Sequence, residues 1–156
     1  MLIAQLSDLH VGPPGGPLDG RVDTLGFLRR AIDRVLALDP RPDLLVVTGD
    51  LGDRGTAAEY ALLAPELARL PMPVHAIPGN HDSRAALRNG LPAGLFPGAD
   101  PDFVQFAIDA GPLRLVFLDT LEMGRAAGRL CARRLAWAER ALAEAAGRPT
   151  LVLLHH

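Results

Sequence analysis

Four short apolar runs, each ending in a cluster of oxygen or imidazole side chains, constrain this chain more than any other feature. Leu2–Leu6 leads to Asp8 and His10. Leu44–Thr48 leads to Gly49 and Asp50, Val74–Ile77 to Asn80, His81 and Asp82, and Leu151–Leu154 to His155 and His156. Continuous apolar runs of this length bounded by turn residues read as buried strands. Between them lie helical patterns. Asp23 or Thr24 can cap a helix whose apolar face is Leu25, Leu28, Ile32, Val35 and Leu36, and Pro40 and Pro42 end that segment. Thr56-Ala57-Ala58-Glu59 is a capping box opening a second helix, which Pro65 is expected to kink or divide. Alternating strands and helices predict an α/β layered fold.

The second half reads differently. Asn89 to Pro101 is rich in Gly and Pro and is expected to be a loop. Phe103–Asp109 and Leu113–Asp119 are expected to form a hairpin through Ala110-Gly111-Pro112. A last helix is predicted over 133–146, with Leu135, Trp137, Leu142 and Ala145 packing inward.

Composition narrows the function. A length of 156 residues is that of one domain with one core. The apolar runs fall far short of the ~20 residues that span a bilayer. Met1 leads directly into a strand with no basic leader, so a cytoplasmic address is expected. Cys131 is the single cysteine, which excludes an intrachain disulfide and a cysteine zinc site. All 16 basic residues are arginine, the net charge is −2, and no segment is basic enough to track a long nucleic acid. His75, inside a strand, is read as structural.

The polar clusters carry the chemistry. Ligands in open α/β sheets gather beyond the carboxyl ends of strands, so these loops should converge on one crevice. Alone, each cluster has an ordinary reading as a turn. Together at four strand ends, mixed Asp, Asn and His donors point to a metal site, and they suit Mn, Fe, Zn or Co without choosing among them. Arg54 is a candidate phosphate contact, with an exposed loop charge as the ordinary alternative. Gly49 and Gly79 are read as turn glycines or as points of close backbone approach.

Asp8-Leu9-His10, Gly49-Asp50-Leu51-Gly52-Asp53-Arg54-Gly55, Gly79-Asn80-His81-Asp82 and His155-His156 together resemble the calcineurin-like metallophosphoesterase superfamily. Leu118-Asp119-Thr120 and Leu135-Ala136-Trp137 further resemble its bacterial cyclic-nucleotide and glycerophosphodiester phosphodiesterase branch. The resemblance implies a layered α-β-β-α sandwich and two divalent or trivalent metal ions. It implies that Asp8 and His10 bind the first ion, that Asp50 bridges, and that Asn80 and His156 bind the second. It gives His81 the role of phosphate contact and general acid or oxyanion stabiliser, with Asp53 orienting it. Neighbouring strand residues face opposite ways. One histidine of the pair should therefore reach the metals; the resemblance favours His156 and leaves His155 as a substrate contact.

Two ions about 3.5–4 Å apart would neutralise the phosphodiester and activate water, which is the chemistry the resemblance implies. The expected substrate is a small phosphodiester, with a phosphomonoester or protein phosphatase reaction as alternatives. The family's Gly-His-x-His motif has no counterpart here. The expectation is therefore a truncated domain with an incomplete second sheet. Such a domain is either catalytic or a non-catalytic product, with a possible homodimer through its last strand.

Overall fold

The computed structural model describes residues 1–13 and 22–156. In chain order the elements are β1 (Ile3–Leu6), α1 (Thr24–Leu36), β2 (Leu44–Thr48), α2 (Ala57–Leu67), β3 (Val74–Ile77) and α3 (Arg84–Gly90). They continue with β4 (Phe106–Ala110), β5 (Leu113–Phe117), α4 (Ala132–Ala143) and β6 (Thr150–Leu153).

The first sheet has order β1-β2-β3 and is wholly parallel, from Ile3 opposite Leu44 to Thr48 opposite Ile77. Every residue of β2 is buried, because a central parallel strand is covered on both faces. Helices α1 and α2 supply the crossovers. Asp23 caps α1 by accepting the Gly26 N–H at 2.8 Å, and Leu25, Leu28, Ile32 and Val35 turn inward. The capping box at Thr56 and Glu59 is formed, but α2 runs through Pro65 without dividing.

The second sheet has order β4-β5-β6, with β4 antiparallel and β6 parallel to β5. Its strands alternate cleanly. Leu115 and Phe117 belong to the main core shared with the first sheet, whereas Val116 and Leu118 pack with Ala138 and Ala141 of α4. His75 of β3 meets the rings of Phe106 and Phe117 at 6.0 and 5.9 Å, which ties sheet to sheet. The layers are therefore helix, sheet, sheet, helix, as expected.

Three expectations in the second half need correction. The residues before Phe106 do not join the β4 ladder: the Val104 N–H is held by Asp119, and Phe103 lies against the guanidinium groups of Arg84, Arg133 and Arg134. Helix α4 ends at Ala143, and the chain then takes left-handed values at Ala146 (φ 50°) and Gly147 (φ 82°). Leu135 and Leu142 of α4 are exposed, at 47% and 44%. Its inward face is Arg134, Ala138 and Ala141, because buried Arg134 donates to the carbonyls of Asp119 and Leu121. Helix α3, capped by Ser83, was not foreseen.

Candidate metal centre

The loops that follow β1 and β2 are zipped together by their main chains. Asp8 N–H donates to the Gly49 carbonyl at 3.2 Å, His10 N–H to Asp50 at 2.9 Å, and Val11 N–H to Leu51 at 3.0 Å. The backbone turns sharply here: Asp8, His10 and Asp50 have φ of 56°, 41° and 50°. Non-glycine residues seldom occupy this region, and such conformations gather at functional sites, where surrounding structure enforces them. These are three of the residues the sequence marks as ligands.

The loop after β3 is drawn in by Asp50 and Asp82. Asp50 Oδ1 accepts the His81 main-chain N–H at 2.9 Å. Buried Asp82 accepts the N–H groups of Leu51 (3.1 Å), Gly52 (3.1 Å) and Gly79 (2.8 Å), together with the Tyr60 hydroxyl (2.9 Å). Burial pushes the Asp82 carboxyl upward, and these donated bonds oppose it. One carboxylate thus fixes the loop of Asp50 against the loop of Asn80. Gly79 permits the approach, since a Cβ there would lie 2.1 Å from Asp50 Oδ1.

The free oxygen of Asp50, Oδ2, then faces two imidazoles. It lies 3.6 Å from His10 Nε2 and 3.4 Å from His155 Nε2, and Asp50 itself is only 4% exposed. Candidate ligand atoms of Asp8, Asp50 and His155 all lie within 4.8 Å of one another, and so do those of His10, Asp53 and His81. His155 Nδ1 is 2.9 Å from the Thr48 carbonyl, and His81 Nδ1 is 2.7 Å from the Asp53 carbonyl. A carbonyl only accepts, so each ring carries its proton on Nδ1 and presents Nε2. The Asp53 carbonyl, followed by the charges of Asp50, Asp53 and Asp82, raises the His81 pKa above the ordinary imidazole value.

The structure thus brings together Asp8, His10, Asp50, Asp53, His81 and His155. Asn80 sits half-buried between Gly79 and His81 in the same loop. Two placements differ from expectation. His155, not His156, stands with the carboxylates; His156 Nδ1 lies 2.8 Å from Thr120 Oγ1. Asp53 holds His81 by its carbonyl rather than its carboxylate. Arg54 is exposed, its Nε 3.9 Å from Asp53 Oδ2, and its main-chain N–H is taken by Glu59. Sequence reasoning missed the clamp of Asp82 and Tyr60 and the contact of Thr120. Asp82 belongs to the Gly79-Asn80-His81-Asp82 run, but nothing local indicates that its partners include amides of another loop.

A family model described as calcineurin-like phosphoesterase matches residues 1–156. The chain belongs to the calcineurin-like phosphoesterase family. It is 36% identical over 158 residues to the glycerophosphodiester phosphodiesterase GpdQ of Enterobacter lignolyticus (strain SCF1), covering 100% of this chain and 56% of that protein. It is 31% identical over 156 residues to the 3',5'-cyclic adenosine monophosphate phosphodiesterase CpdA of Pseudomonas aeruginosa, covering 100% of this chain and 55% of that protein. A probable cyclic nucleotide phosphodiesterase of Rhodococcus erythropolis (strain PR4 / NBRC 100887) is 34% identical over 158 residues, at 99% and 51% coverage. The chain spans about half the length of these curated relatives. Among the described residues, no helix is long and apolar enough to cross a membrane.

Proposed function

We propose that the protein hydrolyses small phosphodiesters, of the glycerophosphodiester or cyclic-nucleotide class, at a two-metal centre built around Asp50. The observation that carries this reading is the placement of Asp50 Oδ2, 3.6 and 3.4 Å from two imidazole nitrogens. Those gaps are longer than the usual hydrogen bond, so the three groups are close together without being bonded to one another. Left-handed backbone at Asp8, His10 and Asp50 supports the same reading, because that strain holds donors in place. The names of the relatives supply the substrate class.

The donor set fits two divalent or trivalent ions such as Mn, Fe, Zn or Co. Asp8 and His10 would hold one, Asp50 would bridge, and Asn80 with a histidine of the terminal pair would hold the other. His155, whose ligand atom lies within 4.8 Å of those of Asp8 and Asp50, is supported by proximity, and the resemblance favours His156. Bound ions would neutralise the phosphate oxygens and lower the pKa of the attacking water. His81, exposed at the rim, keeps its proton-bearing Nδ1 on the Asp53 carbonyl and turns Nε2 outward. A protonated His81 would donate from Nε2 to a phosphate oxygen or to the departing alkoxide.

The test is hydrolysis of bis-p-nitrophenyl phosphate with added Mn²⁺ and with chelator. Metal-dependent turnover lost in Asp50→Ala is the expected result. Turnover retained in that variant, or in chelator, contradicts the reading.

A further inference from the structure

His10 raises a question that the ligand set does not answer. Its Nε2 faces Asp50 Oδ2, while its Nδ1 is buried without a hydrogen-bond partner. An imidazole that offers Nε2 to a cation keeps its proton on Nδ1, and a buried N–H without an acceptor is unfavourable by about 1–3 kcal/mol. The carboxylate facing that nitrogen is Asp53, with Oδ1 at 3.7 Å. The Asp53 side chain is only 12% exposed, and its backbone is anchored by N–H donation to the Val11 carbonyl at 3.3 Å. A small rotation of the carboxylate would bring the pair to charge-assisted hydrogen-bond distance, about 2.7–2.9 Å.

We infer that Asp53 is a positioning residue for His10 through its carboxylate, while it serves His81 through its main-chain carbonyl. One residue would then set the tautomer of two rings whose centroids lie 4.7 Å apart at 87°. A carboxylate on the distal nitrogen of a ligating histidine fixes the ring and strengthens it as a donor. The role of this contact in metal binding rests on the proposed function; the contact itself does not. Arg54 Nε, 3.9 Å from Oδ2, lies on the other side of the same carboxylate and leaves Oδ1 for His10.

The two attachments separate by mutation. Asp53→Ala removes the carboxylate and keeps the carbonyl, and Asp53→Asn restores an acceptor oxygen. Ring ¹⁵N correlation spectra of the metal-free protein at about pH 8.5, well above the ordinary imidazole pKa, report each tautomer. His10 should be the Nδ1–H form in the parent, shift to Nε2–H in Asp53→Ala, and return toward Nδ1–H in Asp53→Asn. His81 should stay Nδ1–H in all three.

In a Mn²⁺ competition titration, Asp53→Ala should weaken one site by about 10–100-fold, with substantial recovery in Asp53→Asn. An unchanged His10 tautomer in Asp53→Ala, or a change at His81 instead, overturns the inference. Equal loss of metal in both variants also overturns it, since Asp53 would then be a ligand itself. Absence of metal binding in the parent would count against the proposed function, and the tautomer result would still decide the role of Asp53. Should Asp53→Ala not fold, the parent and Asp53→Asn spectra are sufficient: a parent His10 in the Nε2–H form refutes the contact.

Discussion

Replacing Asp82 with alanine should damage this protein more than replacing most of its apolar core residues. The substitution leaves the N–H groups of Leu51, Gly52 and Gly79 and the Tyr60 hydroxyl without the acceptor they share. A buried donor left unsatisfied is unfavourable by about 1–3 kcal/mol, so four would total roughly 4–12 kcal/mol if nothing relaxed. The loops around Asp82 can open and admit water, which places the expected loss near the low end, about 4 kcal/mol. Against a total stability of about 5–15 kcal/mol that is a large share.

Urea unfolding at neutral pH measures it, with the slope of the transition checking that the same surface unfolds. Tyr60→Phe is the internal control. It removes one donor to Asp82 and one acceptor for the Ser83 N–H, and should be unfavourable by about 1–2 kcal/mol. A loss under about 1 kcal/mol in Asp82→Ala, with an unchanged slope, would refute the idea that this carboxylate joins the two ligand loops.

Other substitutions probe the site from different sides. Gly79→Ala drives a methyl to 2.1 Å from Asp50 Oδ1; stability should fall by about 1–3 kcal/mol and metal binding should weaken, as thermal melts and Mn²⁺ titration would show. Parent-like behaviour in both assays would contradict the close approach. Removing each terminal histidine in turn decides between them: His155→Ala should weaken metal binding by at least the ~10–100-fold of a lost outer contact, and His156→Ala by much less. The opposite ranking would assign the ligand to His156.

His75 gives a pH prediction. Burial between the sheets lowers its pKa, so the unfolded chain binds its proton first as pH falls below about 6.5. Its contribution is complete above that value and is lost on acidification toward the folded pKa. His75→Phe should therefore flatten the fall in urea midpoint between about pH 8 and about pH 5. An unaltered slope would show that His75 is not the acid-sensitive group.

The first sheet was legible in the sequence because its central strand is buried on both faces and its neighbours are short apolar runs that end in turn residues. Leu44–Thr48 reads as a strand from its apolar run alone, and Thr56 and Glu59 announce the start of α2. The second sheet was less legible. Phe103 resembles a strand residue by propensity, yet cation contacts with three arginines and the hold of Asp119 on Val104 keep it out of the ladder. The face of α4 was misread for a related reason: Arg134 is buried to satisfy carbonyls, which no hydrophobic period reports.

At the site, residue types and strand ends pointed to the loops that the fold brings together, with Asp8, Asp50 and His155 in one group and His10, Asp53 and His81 in another. What they could not specify was which atom each donor uses. Asp53 looked like a carboxylate for His81, but the fold brings its carbonyl to that ring. Alternation predicted that the two histidines part ways, but not which goes where: His155 lies against Gly49 with Nε2 3.4 Å from Asp50 Oδ2, and His156 lies against Gly128.

The proposed function requires Asp50 as the shared ligand of two ions. Anomalous diffraction from Mn²⁺-soaked crystals tests this directly. Two peaks about 3.5–4 Å apart, both within bonding distance of the Asp50 carboxylate, are the predicted result. A single peak, or peaks that leave Asp50 uncoordinated, would contradict it.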